Sequence, residues 1–245
     1  MIPSKEWLEK WQKSKDILTP FSNLNDYFSE NEIAGKALDR LDLGFASFPT
    51  GNVIVRDPLC YFRPDEQPFL QKIPSGTYSV TACVVKPDEG DCARYAAVKL
   101  TVSDNVAVRF EEALIGHENL DSCEPGSYFG FNVDAGLATI ADIKTRDAFH
   151  DYFTKWYKEN PDGNNYDDYF AALFADSYRK KPQYQREGGD WINWTVPNTD
   201  LQMPLFQSGF GDGCYPVYFG YDNNDNVCCI IIEFIDIKLA YSEEE

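Results

Sequence analysis

Residues 78–84 (YSVTACV) and 94–102 (RYAAVKLTV) are the two segments that decide the fold. Hydrophobic and polar side chains alternate along the first segment, which is typical of a β-strand with one face in solvent. Between them, residues 86–91 (KPDEGD) supply the proline, glycine and acidic residues from which turns are built. The two segments are therefore predicted to form a β-hairpin.

The C-terminal part of the chain also has strand character. Strands are predicted over residues 215–221 and 227–239, joined by a tight turn at 222–226 (DNNDN). Residues 228–232 (CCIII) are apolar on both faces, which is typical of a central strand that is covered on both sides. Further strands are predicted at residues 52–56, 105–113, 128–133, 191–196 and 203–207.

Helical patterns occur at the start and in the middle of the chain. Residues 4–18, with Ser4 as the N-cap, and residues 23–38 are predicted to be helices. A helical pair is predicted over residues 142–159 and 165–179. The predicted fold is a single α+β domain over residues 41–245, mainly antiparallel β-sheet, with an N-terminal helical extension at 1–40 and an inserted helical pair at about 142–180.

The composition excludes several classes of protein. The chain has 245 residues, with 22 Lys and Arg against 40 Asp and Glu, so its formal charge is −18. Aromatic residues make up 15%, which is more than a disordered chain has. The negative charge would repel a phosphate backbone, so nucleic acid is not expected as a partner. No apolar run is long enough to span a membrane, and no membrane partner is expected.

The seven cysteines indicate a reducing compartment. Their number is odd, no Cys-x-x-Cys pair occurs, and the N-terminus lacks the apolar core of a secretory signal. We therefore expect a cytoplasmic protein whose thiols are reduced and buried. The alternative for one of them is a reactive thiol, and Cys214 in a glycine-rich turn is the best candidate.

Five segments of the chain follow one another in an order that is shared with a known family. They are residues 51–58 (GNVIVRDP), 74–80 (PSGTYSV), 94–98 (RYAAV), 129–136 (FGFNVDAG) and 208–222 (SGFGDGCYPVYFGYD). An acidic residue also stands directly before the final aromatic residue, here Glu233-Phe234. Together these features resemble the bacterial domain-of-unknown-function family 4241 (DUF4241) over about residues 45–238. The resemblance implies a bacterial protein that shares the family's fold, and it implies no reaction.

The glycine-rich stretch 209–213 (GFGDG) is the sharpest local feature of the sequence. Glycines allow positive φ and a close approach of the backbone, so this loop could present N–H groups to an anion or Asp212 to a cation. The alternative is a bulged turn in which Asp212 caps its own backbone. The candidate binding residues are Gly209, Gly211, Asp212, Gly213 and Tyr215.

Three acidic residues are candidates for catalysis or metal binding. Asp134 follows a predicted strand, Asp142 begins the next helix, and Asp212 lies in the glycine loop. If they met in a cleft, they could hold Mg²⁺ or Ca²⁺, or serve as general acid and base. The alternative is that Asp134 and Asp142 cap a turn and a helix. No cofactor is expected, because neither a dinucleotide-binding nor a Walker-type motif is present.

Two main functions remain open. Residues 200–245 contain nine acidic residues and one basic residue. Because an acidic surface steers basic proteins, the first hypothesis is an interaction module for a basic partner, of the kind that neutralises toxins. The second is a metal-dependent hydrolase that uses the three carboxylates. A third is a structural domain whose glycine motifs only shape turns.

Overall fold

The computed structural model describes residues 3–242. The acidic tail Glu243–Glu245, which contributes to the predicted acidic segment, lies outside the described residues. No helix within the described part is long and apolar enough to cross a membrane.

A seven-stranded antiparallel sheet, curled into a half-barrel, forms the body of the α+β fold. The strand β13 (Val227–Glu233) lies between two neighbours in this sheet, and its residues from Cys228 onward are buried. This confirms the central position predicted from its apolar faces. The spatial order of the strands is β1 (Glu32–Ile33), β2 (Lys36–Phe48), β4 (Gly76–Val85), β5 (Arg94–Thr101), β13, β12 (Val217–Tyr221) and β6 (Arg109–Glu112).

The predicted hairpin is present at the centre of this sheet. Strands β4 and β5 pair in antiparallel register from Ser79 opposite Thr101 to Val85 opposite Arg94. The turn predicted at 222–226 joins β12 to β13, and the Asp222 carboxylate accepts hydrogen bonds from the backbone N–H groups of Asn224 and Asn226. Local pattern and turn chemistry were sufficient for both hairpins.

A second sheet and the inserted helices form a separate part of the core. Strands β3 (Val53–Arg56), β8 (Leu137–Asp142), β10 (Gln202–Gln207) and β9 (Trp191–Thr195) pair in that order. Helix α3 (Ile143–Glu159) and a π-helical turn at Tyr166–Phe170, which continues as α4 (Ala171–Lys180), confirm the predicted helical pair. Their aromatic side chains pack together and against Trp194 of β9. A two-stranded sheet, β7 (Phe131–Val133) with β11 (Gly213–Tyr215), completes the strands.

Three predictions of secondary structure are wrong. The helix predicted over 23–38 is reduced to α2 (Asp26–Ser29), because Glu32 and Ile33 form β1 and pair with the start of β2 instead. No strand is predicted over residues 137–142, yet these residues form β8, and all six of them are buried. The last strand ends at Glu233 rather than 239, and helix α5 (Ile237–Tyr241) follows it, capped by the Asp236 carboxylate.

The N-terminal helix is shorter than predicted. Helix α1 (Lys5–Ser14) begins after Ser4, whose hydroxyl accepts a hydrogen bond from the Trp7 backbone N–H as predicted for the N-cap. Strand β2 crosses residue 40, so the chain enters the main sheet before the predicted domain boundary. The division of the chain at residue 40 stays a prediction.

A bulge in β2 connects the two sheets. The register shifts between Asp42 and Gly44, and Gly44 has φ +90°. The side-chain amide of Asn193 in β9 reaches this point, where it donates to the Phe45 carbonyl (3.1 Å) and accepts from the Phe45 N–H (2.9 Å). A Cβ at position 44 would lie 2.1 Å from the Asn193 amide, so the contact requires glycine.

Gly44→Ala therefore tests how the sheets are joined. We expect it to lower the free energy of unfolding by about 1–3 kcal/mol more than Gly90→Ala, measured by urea denaturation. Gly90 is the matched control, because its φ of +87° imposes the same backbone strain while a Cβ there meets nothing within 4 Å. Equal losses in the two variants would contradict the role of the Asn193 contact.

Candidate functional site

The glycine loop is a turn whose conformation is fixed by packing and by hydrogen bonds within the chain. Gly209 has φ +50°, and a Cβ there would lie 2.8 Å from the Phe234 Cβ. The Ser208 hydroxyl donates to the Gly211 carbonyl (2.8 Å), and the Tyr215 hydroxyl donates to the same carbonyl (2.7 Å). These contacts fix the loop between β10 and β11.

The loop forms one wall of a polar pocket of about 310 Å³. Gly209, Gly211 and Asp212, three of the five predicted binding residues, line it. The Asp212 carboxylate accepts from the Gly136 N–H (3.2 Å), so it caps a neighbouring turn rather than its own backbone. Arg94 and Arg186 also line the pocket. Arg186 is paired with the buried carboxylate of Asp190. The binding role of these residues stays a prediction.

The three candidate carboxylates do not form a metal site. Asp142 is fully buried at one end of β8, where it accepts from the Thr50 N–H (2.9 Å) and the Lys144 N–H (2.8 Å). Asp212 contacts the turn that precedes the opposite end of the same strand. Within residues 3–242, no three His, Cys, Asp or Glu side chains are placed to hold a metal ion. The prediction of a metal centre from these carboxylates is therefore wrong, and Asp142 caps α3 instead.

Sequence reasoning missed a buried carboxylate at the turn that contains Asp134. Asp57 is fully buried, and its Oδ2 accepts from the N–H groups of Asp134 (2.9 Å) and Ala135 (2.7 Å). Its Oδ1 accepts from the Leu59 and Cys60 N–H groups. Its place directly after a strand and before Pro58 was a signal for such a cap. Asp57 is thus a structural residue that fixes two loops to each other.

A groove with an acidic base is lined in part by Cys214 and Tyr215, which follow the glycine loop in the chain. We use the term Glu233 groove for this pocket of about 220 Å³ between the N-terminal segment, the start of β12 and the end of β13. Tyr215, a predicted binding residue, and Cys214 belong to it. Its lining residues are Thr19, Phe21, Gly126, Ser127, Tyr128, Cys214, Tyr215, Pro216, Tyr218, Glu233, Phe234, Asp236 and Leu239.

Glu233 is nearly enclosed where it lines this groove. Glu233 is only 7% exposed to solvent, and its Oε1 accepts a hydrogen bond of 2.8 Å from the Tyr27 hydroxyl. Burial raises the pKa of Glu233 to about 7, and the nearby Asp236 adds to the rise while the hydrogen bond from Tyr27 opposes it. A carboxyl with this pKa is poised to bind a proton or another cation near neutral pH.

The charged side chains that line the groove are all acidic. Its lining includes Glu233 and Asp236, and none of its thirteen described lining residues is Lys, Arg or His. Burial raises the pKa of the Tyr218 hydroxyl, and the nearby Glu233 and Glu112 carboxyls raise it further. A cation entering the groove would therefore meet negative charge without a competing basic side chain.

A second buried carboxyl supports the wall of the groove. Glu112 of β6 lies opposite Tyr218 in the register, and it is 2% exposed. Its Oε1 accepts from the N–H groups of Phe129 (2.6 Å) and Gly130 (3.1 Å), and burial raises its pKa to about 7. Glu112 thus fixes the segment that carries Tyr128.

The thiol in the groove is not activated. Burial raises the pKa of Cys214 above its ordinary value, and the nearby Glu112 carboxyl adds to that rise. The Cys214 Sγ also lies 3.2 Å from the Phe129 carbonyl, to which it donates. Since the thiolate is the nucleophilic form, this environment opposes the reactive role considered for Cys214.

Comparison with known proteins gives one result. The family model described as Protein of unknown function (DUF4241) matches residues 46–232. The chain belongs to the DUF4241 family. No curated protein and no solved structure matches it.

The groove is lined both by residues within the DUF4241 match and by residues that precede and follow it. Gly126–Tyr128 and Cys214–Tyr218 belong to the matched range, whereas Thr19, Phe21 and the residues from Glu233 onward do not. Tyr27, which donates to Glu233, also precedes the match. One wall and the acidic base of the groove are therefore built by parts of the chain beyond the family model.

Asp142→Ala tests the capping role assigned above. We expect a loss of about 2–4 kcal/mol in the free energy of unfolding, because the change removes a helix cap and the acceptor of the Thr50 N–H and hydroxyl groups. Asp151→Ala, an exposed site on the same helix, is the control and should have little effect. Equal stability of the two variants in urea denaturation would contradict a capping role.

The raised pKa of Glu233 predicts a specific pH dependence. The native state keeps the Glu233 proton up to about pH 7, while the unfolded chain loses it near the ordinary value of 4.5. Stability is therefore lost as pH rises through this window, by at most about 3 kcal/mol for this group. Glu233→Gln, which can still accept from Tyr27, should remove that part of the decline.

The measurement is urea denaturation of both proteins between about pH 5 and pH 8. Glu112 is unchanged in the variant, so the difference between the two curves reports Glu233. Parallel curves would show that the Glu233 carboxyl titrates normally, and would contradict the burial described here.

Proposed function

We propose that this DUF4241 protein is a cytoplasmic protein-binding module that receives a basic side chain of its partner in the Glu233 groove. The observation that carries this proposal is a carboxyl that is 7% exposed and lines an aromatic-walled groove in which no described lining residue is basic. A cationic side chain would supply the charge that the groove itself lacks.

The size of the groove favours a side chain over a small molecule. Its volume of about 220 Å³ lies below the range of roughly 300–1,000 Å³ that is usual for ligand and cofactor sites. An aromatic rim around a charged base is also the usual arrangement of an interface anchor, in which a buried contact supplies most of the binding energy.

The overall charge supports the same partner chemistry. A protein of net charge −18 attracts a basic protein over a distance of several ångströms and so raises the association rate. The strength of a charge pair rises when water is excluded, which the enclosure of Glu233 provides. In the predicted immunity-type role, the partner would be a basic toxin or enzyme that this chain neutralises.

Selection from a random peptide library tests the proposal whatever the identity of the partner. The library is displayed on phage and selected on immobilised wild-type protein and on Glu233→Gln in parallel. Wild type should enrich sequences with Lys or Arg, and the variant should lose that enrichment, because its neutral side chain offers no charge to the cation.

Asp200→Asn is the matched control for this selection. Asp200 is an exposed acid that does not line the groove, so its variant has the same net charge as Glu233→Gln. It should enrich basic peptides as wild type does. Equal enrichment by all three proteins, or no preference for basic sequences in wild type, would contradict the proposed function.

A further inference from the structure

We propose that the Glu233 groove prefers arginine to lysine, and that Phe21 is the residue that sets this preference. This inference rests on the proposed function and specifies the side chain that it takes. It follows from the aromatic surfaces of the groove, from the way in which Phe21 is held, and from a comparable site elsewhere in the chain.

Aromatic rings and carboxylates line the groove together. Phe21, Tyr128 and Tyr218 line it together with Glu233 and Asp236. A guanidinium is planar and weakly hydrated, so it can stack on a ring while its N–H groups reach a carboxylate. An ammonium is a compact and strongly hydrated charge, and its transfer into the same groove costs more of its hydration. These surroundings favour arginine.

Phe21 is exposed and yet fixed in place. It is 76% exposed. Its ring packs directly over Gly126, since a Cβ at that position would lie 2.3 Å from the Phe21 Cζ. Gly126 has φ +91°, so the backbone there also favours glycine. The contact holds an aromatic face at the mouth of the groove before any partner binds.

Tyr128 is fixed in a similar way on the other segment. Its residue surface is 47% exposed, and its hydroxyl donates to the Cys214 carbonyl at 3.2 Å. Because both exposed rings are positioned by contacts within the chain, little side-chain freedom is lost when a ligand enters between them.

The chain already contains a site that binds a guanidinium in this manner. The guanidinium carbon of Arg109 lies 3.8 Å from the ring centroid of Tyr221, and its N–H groups donate to Asp225 and Glu111. One aromatic face and two carboxylates thus hold an arginine on the neighbouring part of the sheet. The Glu233 groove offers the same combination of groups, and no cationic side chain is among its described lining residues.

Titration with capped amino acids tests the preference directly. The probes are the N-acetyl methylamides of arginine, lysine and citrulline, added to the ¹⁵N-labelled full chain and followed by NMR shifts of the groove residues. Citrulline keeps the shape of arginine without its charge. We expect arginine to bind at least about threefold more tightly than lysine, and citrulline to bind more weakly than both.

Phe21→Leu isolates the residue that sets the preference. The ratio of lysine to arginine dissociation constants should fall towards one in this variant, while the lysine affinity changes little. Phe45→Leu is the control, since Phe45 is also exposed but does not line the groove, and it should keep the wild-type ratio.

The outcomes separate this inference from the proposed function. Equal or tighter binding of lysine would overturn the arginine preference, and a ratio unaffected by Phe21→Leu would overturn the role of Phe21, while the peptide selection still supported a basic partner. Citrulline binding as tightly as arginine would overturn both, because charge would then not be recognised. Shifts with none of the three probes would also overturn the arginine preference, and the proposed function would then depend on the peptide selection alone.

Discussion

The burial of strand β13 on both faces is the constraint on which the arrangement around it depends. This strand carries Cys228 to Ile232 through the middle of the larger sheet, and none of these side chains can be left in water without losing hydrophobic stabilisation. The chain must therefore cover it with segments that are distant in sequence. Leu24 and Tyr27 from the N-terminal segment and Ile237 of α5 belong to the same buried core as the strand.

The Glu233 groove is a consequence of that covering. Where β13 ends, Tyr27 donates to Glu233 and accepts from the Ile237 N–H, so one hydroxyl joins the N-terminal segment, the last strand and the last helix. The carboxyl is enclosed enough for its pKa to rise to about 7, and yet it still lines a pocket. A cation bound in this groove would favour the ionised form of Glu233, which burial disfavours.

The sequence was sufficient where local pattern decides the structure. Alternation and turn residues predicted the β4–β5 hairpin, apolar faces predicted the central position of β13, and aromatic spacing predicted the helical pair. It was insufficient where partners are distant. The helix predicted over 23–38 ends in a segment that pairs with β1 and, from Leu38 onward, with β4, and the contact between Tyr27 and Glu233 spans 206 residues. Tyr215 was a predicted binding residue that does line the groove, whereas Glu233 was noted only in the family resemblance and as one acid among nine, with no binding role predicted for it.

Glu233 is thus a buried carboxyl whose charge a bound cation would stabilise, and this is the point to test first. The most direct measurement is the pKa of its side chain by ¹³C NMR, first in the free protein and then with saturating N-acetyl-arginine methylamide. We expect a pKa of about 7 in the free protein and a fall of at least about one unit with the probe, because an opposite charge favours the ionised form. A pKa near 4.5 in the free protein would contradict the burial of Glu233. A pKa that the probe leaves unchanged would contradict the binding of a cation beside it.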